Sequence, residues 1–274
     1  MLTSVGTFNI RLFPDAGTVP DAVATRLAEL DADVVMVQEI REPNTFDTVL
    51  ASAAAKCGRR YQAVLGPMCR TSELQLGVVY DTAAFTVVET RTQADLDPTG
   101  RCSCRDGHPP AFLAVLERSD GFRLAAMSVH LQFGARRWMF QARRVQWEYL
   151  VQSIARLADE LEVPLVAAGD FNSTGYINDE LGERSFIERT VDEAGLTLAT
   201  AGLSCTAYWR PNRRRRDYVP SMLDHVLVLG AKVEQTEVLG MCATLGGSVV
   251  PGDQDLADYR EVSDHCPVRV RLSF

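Results

Sequence analysis

The chain has none of the usual features of a membrane-spanning protein. No apolar stretch reaches the roughly 18 residues that a helix needs to cross a bilayer. The segment from Met1 to Asn9 has no basic region followed by an apolar core, so it does not look like a signal peptide. We expect no integral membrane segment, and both a cytosolic protein and a trimmed secreted protein stay open.

Lysine is nearly absent from the sequence. Lys56 and Lys232 are the only two lysines, so almost all positive charge is arginine. The formal net charge of -8 argues against a general polyanion-binding surface. An enzyme that gathers carboxylates around a cation raises its own acidic count, however, so the net charge excludes little.

Two groups of arginines lie beside aromatic residues. Arg213 to Arg216 form an unbroken run after Trp209, and a second group lies near Trp138 and Phe140. We interpret the run as a solvated loop near a cleft rim, and Trp138 and Phe140 as packing residues rather than base-stacking platforms. The second group consists of Arg136, Arg137, Arg143 and Arg144.

The cysteines show no pair of C-x-x-C ligand knuckles, which argues against a structural zinc site. Cys266 precedes a proline and an apolar strand, a position typical of a buried free thiol. The other six are an even number, which suits disulfides such as Cys57 to Cys69 in an oxidising compartment. This usage slightly favours a secreted or periplasmic location over a cytoplasmic one.

With 274 residues, 46% of them hydrophobic, the chain can bury a large core, and we expect one domain over residues 1–274. Apolar periodicity predicts a long helix from about Ala135 to Leu161 and shorter helices near 23–30, 46–56 and 186–194. The predicted inner face of the long helix comprises Ala142, Val145, Tyr149, Ile154, Leu157 and Leu161. The predicted strands are 3–10, 34–37, 61–65, 76–80, 85–89, 111–116, 122–129, 165–168, 222–229 and 268–272.

The stretch from Val163 to Ser173 shows how these strands end. An apolar run leads directly to Asp170 and Asn172, which lie two apart and therefore share a face of extended chain. Strand ends elsewhere in the chain also carry polar groups. The full set is Asn9, Glu39, His130, Asp170, Asn172, Asp224, Asp264 and His265.

Four carboxylates, two amides and two imidazoles in one cleft would form an oxygen-rich site with two acid–base groups. Carboxylates at close range repel one another, so a divalent cation is the natural occupant. Oxygen ligands favour Mg²⁺, with Mn²⁺ or Ca²⁺ as alternatives, over zinc. Such a cation supports phosphoester hydrolysis by neutralising charge in the transition state.

Six segments resemble, in order, the motifs of the endonuclease/exonuclease/phosphatase superfamily. The first two are most similar to those of its deoxyribonuclease-I branch. The resemblance spans nearly the whole chain, and it implies a four-layer α/β sandwich, with two mixed β-sheets packed face to face and helices on the outside. The segments are Thr7–Arg11, Gln38–Arg41, Ser128–His130, Gly169–Asn172, Leu223–His225 and Ser263–Val268.

The resemblance also implies metal ligands and a substrate contact. Glu39 is expected to be the principal ligand, with Asn9 and Asp264 beside it. Arg41 corresponds to an arginine that reaches into the DNA minor groove in the deoxyribonuclease branch. An ordinary surface pair of Arg41 with Glu42 is an equally good interpretation.

The catalytic roles implied by the resemblance fall on five residues. His265, held by Asp224, would activate water or polarise the phosphate. Asp170 and Asn172 would align the nucleophile and the phosphoryl oxygens, and His130 would be a general acid for the leaving oxygen.

The sequence departs from the deoxyribonuclease pattern in two places. A glutamate near Leu76 should steady His130, and neither Glu73 nor Gln75 aligns cleanly with it. The segment Cys205 to Ser221 is also longer than expected. Both departures concern the substrate more than the reaction.

The sequence therefore predicts a monomeric, metal-dependent nuclease acting on DNA, or also on RNA. One alternative is a phosphoesterase acting on a phospholipid head group or a small phosphorylated molecule. Another is a binding module that keeps the fold without turnover, which would predict loss of Glu39, Asp170, Asp264 or His265. All four are present.

Overall fold

A computed structural model describes residues 2–68, 72–93, 96, 110–176, 181–210 and 217–274. Arg213–Arg216, Cys69, Cys102, Cys104 and most of the loop predicted over 92–110 lie outside this range. The strands are β1 (Leu2–Phe13), β2 (Val34–Ile40), β3 (Tyr61–Leu65), β4 (Gln75–Asp81), β5 (Thr86–Thr92), β6 (Ala111–Glu117), β7 (Arg123–His130), β8 (Leu165–Asp170), β9 (Thr197–Leu198), β10 (Ala207–Trp209), β11 (Val219–Ser221), β12 (Asp224–Leu229), β13 (Lys232–Val238) and β14 (Val268–Ser273). The helices are α1 (Pro20–Leu30), α2 (Pro43–Cys57), α3 (Arg137–Leu161), α4 (Glu183–Glu193), α5 (Gly240–Leu245) and α6 (Ala257–Glu261).

Two mixed six-stranded sheets form the centre of the fold. The first has the order β13-β14-β1-β2-β4-β3 and the second β5-β6-β7-β8-β12-β9, with β10 and β11 forming a separate ribbon. In the first sheet β1 and β2 are parallel, and in the second β7 and β8 are parallel. The carboxyl ends of each parallel pair therefore meet at one edge of their sheet, which is where working groups collect in such sheets.

Side chains of the two sheets pack against each other in a shared apolar layer. Val34 and Met36 of β2 belong to the same buried cluster as Phe112 and Ala114 of β6 and Val166 of β8. Separate clusters join the outer face of the first sheet to α1 and α2, and that of the second to α3 and α4. This order of layers confirms the predicted four-layer α/β sandwich.

Helix α3 confirms the predicted helix but corrects its inner face. Tyr149 is exposed, and Ala142 and Val145 are only partly buried. The prediction followed apolar residues, whereas three of the buried positions are polar. The buried residues are Phe140, Arg143, Gln146, Trp147, Leu150, Val151, Ser153, Ile154 and Leu157.

A disulfide is present as predicted, but the cysteines expected to form it and the cysteine expected to be free were assigned wrongly. Cys266 is bonded to Cys242 in a disulfide, and Cys57 is a free thiol. Spacing alone could not show that α5 would lie beside the segment ahead of β14. None of the helices among the described residues is long and apolar enough to span a membrane.

Candidate active site

Asp170 lies at the centre of the strand ends in the second sheet. The register of β7, β8 and β12 places His130 beside it on one side and Asp224 on the other. His130 Nε2 lies 3.4 Å from Asp170 Oδ2. Strand pairing alone therefore brings two of the predicted acid–base groups to the buried carboxylate of Asp170.

Gly169 allows β7 and β8 to approach closely just before this point. Its φ is +155°, and a Cβ at this position would lie 1.9 Å from the carbonyl oxygen of Val129. A side chain would push the two strands apart, so only glycine fits. The spacing between His130 and Asp170 depends on this position.

The first sheet contributes Asn9 and Glu39. Asn9 Nδ2 donates to Glu39 Oε1 and to Asp170 Oδ2, both at 3.0 Å, and thus links the two sheets. Its Oδ1 accepts the backbone N–H of Arg11, so the amide presents nitrogen to the carboxylates. Arg11, Leu12 and Glu39 all have positive φ, a strained conformation that concentrates at functional sites.

The segment that precedes β14 supplies His265 and Asp264. His265 Nδ1 lies 2.8 Å from Asp224 Oδ2, and its Nε2 lies 3.7 Å from Asp170 Oδ2. The Ser263 hydroxyl accepts the His265 backbone N–H and donates to the Asn9 carbonyl, which fixes this segment against β1. Asp264 Oδ1 is buried without a hydrogen bond among the described residues.

Asn172 holds the turn that follows β8. Its backbone N–H donates to Asp170 Oδ1 at 2.8 Å, and its Nδ2 donates to the Leu131 carbonyl at 3.1 Å. The turn also requires φ of +53° at Asn172, a value that asparagine tolerates better than most residues. The side chain therefore joins the loops that follow β7 and β8.

The buried charges of the site stabilise one another. Burial alone would raise the pKa of Asp170, but the His265 charge and the His130 hydrogen bond lower it to about 2. Despite burial, Asp224 and Asp170 raise the pKa of His265 well above its usual value. Burial raises the pKa of Asp264, partly offset by His265. The centre thus favours ionised carboxylate beside protonated imidazole.

His130, Asp170, Asp264 and His265 line a cleft of about 470 Å³. Apolar and aromatic residues form much of its wall, and the polar groups converge at its floor, as in many small-ligand sites. Arg41 is not among the lining residues of this cleft, and its Nε is buried without a hydrogen bond to any residue that the structure describes. The lining residues include Leu12, Glu39, Leu74, His130, Phe133, Asp170, Asn172, Trp209, Leu223, Asp264 and His265.

The two residues considered for steadying His130 are engaged elsewhere. Gln75 is buried and donates to the Gly66 carbonyl at 2.7 Å. Glu73 is exposed. Among the residues that the structure describes, neither of them forms a hydrogen bond or ion pair with His130.

A buried ion pair that sequence reasoning missed braces the cleft. Arg143 of α3 is fully buried, and its Nε donates to Glu183 Oε1 at 2.6 Å. The same guanidinium donates to the Gln132 carbonyl and the Thr174 hydroxyl, in the loops after β7 and β8. One signal was available: Arg143 lies in phase with Phe140, Trp147 and Leu150.

The donor set fits a divalent cation. Donor atoms of Glu39, His130 and Asp170 lie within 4.8 Å of one another, and the unpaired Asp264 oxygen lines the same cleft. Carboxylate oxygens suit hard cations. Ligation by Asn9 through Oδ1 would require its amide to give up the bond to the Arg11 N–H.

The sequence profile of the Endonuclease/Exonuclease/phosphatase family matches residues 6–265. The chain belongs to this family. Membership confirms the resemblance seen in the six motifs, and members of the endonuclease/exonuclease/phosphatase family are generally metal-dependent phosphoester hydrolases. A comparison with curated proteins gave no match.

Solved structures show the same family fold. An endonuclease/exonuclease/phosphatase from Bacteroides vulgatus matches with a TM-score of 0.65 and 17% identity, over 100% of this chain and 99% of that one. The human Nocturnin catalytic domain with bound sulfate gives 0.62 and 16%, over 100% and 94%. A mannosyl-6-phosphatase from Bacteroides thetaiotaomicron gives 0.63 and 18%, over 99% and 100%. At these identities the similarity concerns the fold alone.

Proposed function

We propose that this chain is a Mg²⁺-dependent phosphodiesterase that hydrolyses nucleic acid, either DNA or RNA. The observation that carries the proposal is the position of Asp170, which lies between the imidazoles of His130 and His265 on the cleft floor. Glu39 and Asp264 line the same cleft. Two acid–base groups and a carboxylate cluster are the groups that metal-assisted phosphoester hydrolysis needs.

Glu39 is the principal metal ligand in this proposal, with Asp264 and Asn9 beside it. When bound, the cation neutralises charge that develops on the phosphate oxygens. The Leu12 backbone N–H donates to Glu39 Oε2 at 2.8 Å and fixes the orientation of that carboxylate. Asn9 fixes the other oxygen, so the ligand is already oriented before metal arrives.

His265 and Asp170 form the nucleophile side of the site. Asp224 holds His265 through Nδ1, which leaves Nε2 directed toward Asp170 and the cleft. A water between Nε2 and the carboxylate can pass its proton to Asp170 as its oxygen attacks phosphorus, while the protonated imidazole of His265 stabilises a phosphoryl oxygen. Asn172 keeps Asp170 in place through its backbone N–H and aligns the phosphoryl oxygens.

His130 forms the leaving-group side. Its Nε2 lies 3.7 Å from Glu39 Oε1 and 3.4 Å from Asp170 Oδ2, so it lies next to the metal ligand set. Although burial opposes it, Asp170 and Glu39 raise the pKa of His130 above its ordinary value. A protonated imidazole here can donate its proton to the departing oxygen.

Hydrolysis of a small phosphorylated molecule is the second candidate. The cleft volume of about 470 Å³ falls in the range of small-ligand sites, and one structure of similar fold is a mannosyl-6-phosphatase. A phospholipid head group would fit the same chemistry. A binding module without turnover is the least consistent interpretation, because Glu39, His130, Asp170, Asp264 and His265 all line one cleft.

A substrate panel tests the proposal. Plasmid DNA, single-stranded DNA, RNA, sphingomyelin, mannose 6-phosphate and a generic diester would each be assayed with Mg²⁺, Mn²⁺ or chelator. We expect metal-dependent cleavage of a nucleic acid, lost in Glu39→Gln and kept in Glu148→Gln, a matched exposed glutamate on α3. Turnover of only the monoester would favour the second candidate, and no turnover of any substrate would refute the proposal.

A further inference from the structure

An exposed phenylalanine stands on the cleft wall beside the catalytic groups. Phe133 is 59% exposed and lines the cleft together with His130 and Asp170. Trp209, which is 39% exposed, lines it as well. Apolar rings are stabilised when they are buried away from water, yet Phe133 stays exposed. Packing within the fold therefore does not explain the position of Phe133.

The backbone around Phe133 is firmly held. Arg143 donates to the carbonyls of Gln132 and Gly134, the two neighbours of Phe133. Gln146 Oε1 accepts the Gln132 N–H at 2.8 Å. The fold therefore uses a buried ion pair to fix a loop whose central side chain faces solvent, and the ring is preorganised for contact with another molecule.

Positive charge adjoins this ring. Arg136 and Arg137 are exposed, and neither joins an ion pair within the part of the chain that the structure describes. Residues 131–141 contain no acidic residue, and Trp138 is 44% exposed. Phe140 is buried, in line with its interpretation as a packing residue, whereas Trp138, interpreted in the same way, is exposed to solvent.

We propose that residues 133–138, together with Trp209, form a docking surface for single-stranded nucleic acid. Phe133 stacks on an unpaired base next to the scissile phosphate, and Arg136 and Arg137 contact flanking phosphates. This inference rests on the proposed function and specifies its substrate. It differs from duplex binding through Arg41, which is absent from the lining of this cleft.

The shape of the surface favours a nucleic acid strand over a lipid bilayer. The rings of Phe133 and Trp209 line a concave cleft, whereas insertion into a bilayer needs a convex apolar patch. A duplex would keep its bases stacked on one another, so a single aromatic ring has access only to an unpaired base. The two arginines complement the phosphates of a single strand.

Equilibrium binding provides the test. Fluorescence anisotropy of a labelled oligothymidylate would be measured in chelator, where no cleavage occurs. We expect Phe133→Ala to weaken binding by about tenfold, the typical contribution of one base–aromatic stack. Phe133→Tyr should restore it, and Tyr149→Ala, which removes another exposed ring from the middle of α3, should leave it unchanged.

Salt dependence tests the arginines separately. Each phosphate contact with a single strand contributes about 0.7 to the slope of log K against log salt. The double variant Arg136→Gln/Arg137→Gln should therefore reduce the slope by about 1.4. An unchanged slope would show that these arginines do not meet phosphates and would overturn that part of the inference.

Two further measurements separate this inference from the proposed function. Hydrolysis of a generic diester with Mg²⁺, combined with equal oligonucleotide binding by wild type and Phe133→Ala, would overturn the docking surface alone. Binding that depends on Phe133 without turnover of any diester would overturn the hydrolase alone. Loss of binding to phosphatidylglycerol vesicles in Phe133→Ala, with oligonucleotide binding intact, would show that the surface binds a membrane and not a nucleic acid.

Discussion

Two arginines brace opposite ends of the fold in different ways. Arg143 is fully buried and joins the loops after β7 and β8 through Glu183. Arg59 is 18% exposed and binds Asp31, Asp33 and Asp81. Both guanidiniums hold several acceptors from separate elements, so the chemistry of the contacts is nearly the same.

Their surroundings differ. Asp33 precedes β2 and Asp81 ends β4, so the Arg59 network lies at the end of the first sheet opposite Glu39. There water reaches Arg59, Asp31 and Asp33, although Asp81 is buried. A surface ion pair contributes about 0–1 kcal/mol, whereas a buried charge that loses its partner costs about 3–5 kcal/mol. The comparison teaches that burial, not the number of hydrogen bonds, makes a brace hard to replace.

The largest effect is expected at the cleft end itself. His265→Gln should lower kcat by about 10³- to 10⁴-fold, because it removes the protonated imidazole that polarises the phosphate while an amide can still bind Asp224. Steady-state kinetics on the best substrate of the panel measure the loss, and thermal melting checks that the fold persists. Arg59→Gln is the matched variant from the other end. Near-normal turnover in His265→Gln would show that this imidazole is not catalytic.

The second-largest effect is expected at the buried ion pair of Arg143 with Glu183. Glu183→Gln leaves the Arg143 charge without its partner and should destabilise the fold by about 3–5 kcal/mol. Urea unfolding measures this change. The double variant Arg143→Met/Glu183→Leu should recover much of the stability, since an apolar pair of similar size needs no charge partner.

The double variant also separates stability from function. Without Arg143 the loop that carries Phe133 loses its fixed backbone, so KM for single-stranded DNA should rise even where stability has recovered. A double variant with wild-type stability and wild-type KM would limit the brace to folding.

His225 offers a test through pH. It is buried against the rings of Trp147, Phe171 and Tyr176, and burial lowers its pKa to about 4. Between pH 6.5 and 4 His225 takes up a proton in the unfolded chain but stays neutral in the folded chain. Stability should therefore fall as pH drops through this window, by up to about 3 kcal/mol.

Comparison with a variant isolates this contribution. His225→Gln removes the group, so the difference in unfolding free energy between wild type and variant should shrink or reverse from pH 7 to pH 4. A difference that does not change with pH would mean that His225 takes up a proton as readily in the folded chain as in the unfolded chain.

The smallest effect is expected in the partly exposed Arg59 network. Arg59→Gln should change the unfolding free energy by about 1 kcal/mol or less and leave kcat and KM unchanged. Raising the salt concentration should reduce even this difference. A loss comparable to that of Glu183→Gln would remove the distinction between the two ends.

The sequence was sufficient to predict the fold where apolar patterns were strong. Strand β3 has the predicted bounds, and β8 and β14 differ from prediction by at most two residues at one end. Strand β13 was missed because its alternating face is largely polar and it lies at a sheet edge. The inner face of α3 was misassigned because Arg143 and Gln146 occupy positions that the pattern reserves for apolar residues.

The predicted site residues were found from motifs, and their geometry was not predictable. Nothing in the sequence shows that Asn9 would turn its nitrogen toward Glu39 and Asp170, since that depends on the Arg11 N–H occupying its oxygen. The bond between Cys242 and Cys266 also depends on a contact between distant segments. The exposure of Phe133 depends on a brace whose two residues lie 40 positions apart.

The close approach at Gly169 sets a limit on redesign. Because no side chain fits at position 169, a substitution there would push β7 and β8 apart and change the distance from His130 to Asp170. New substrates would have to be accommodated by changing the wall at 133–138 and around Trp209, with the floor left untouched. The floor of the cleft is thus fixed by strand packing, whereas its wall can be changed.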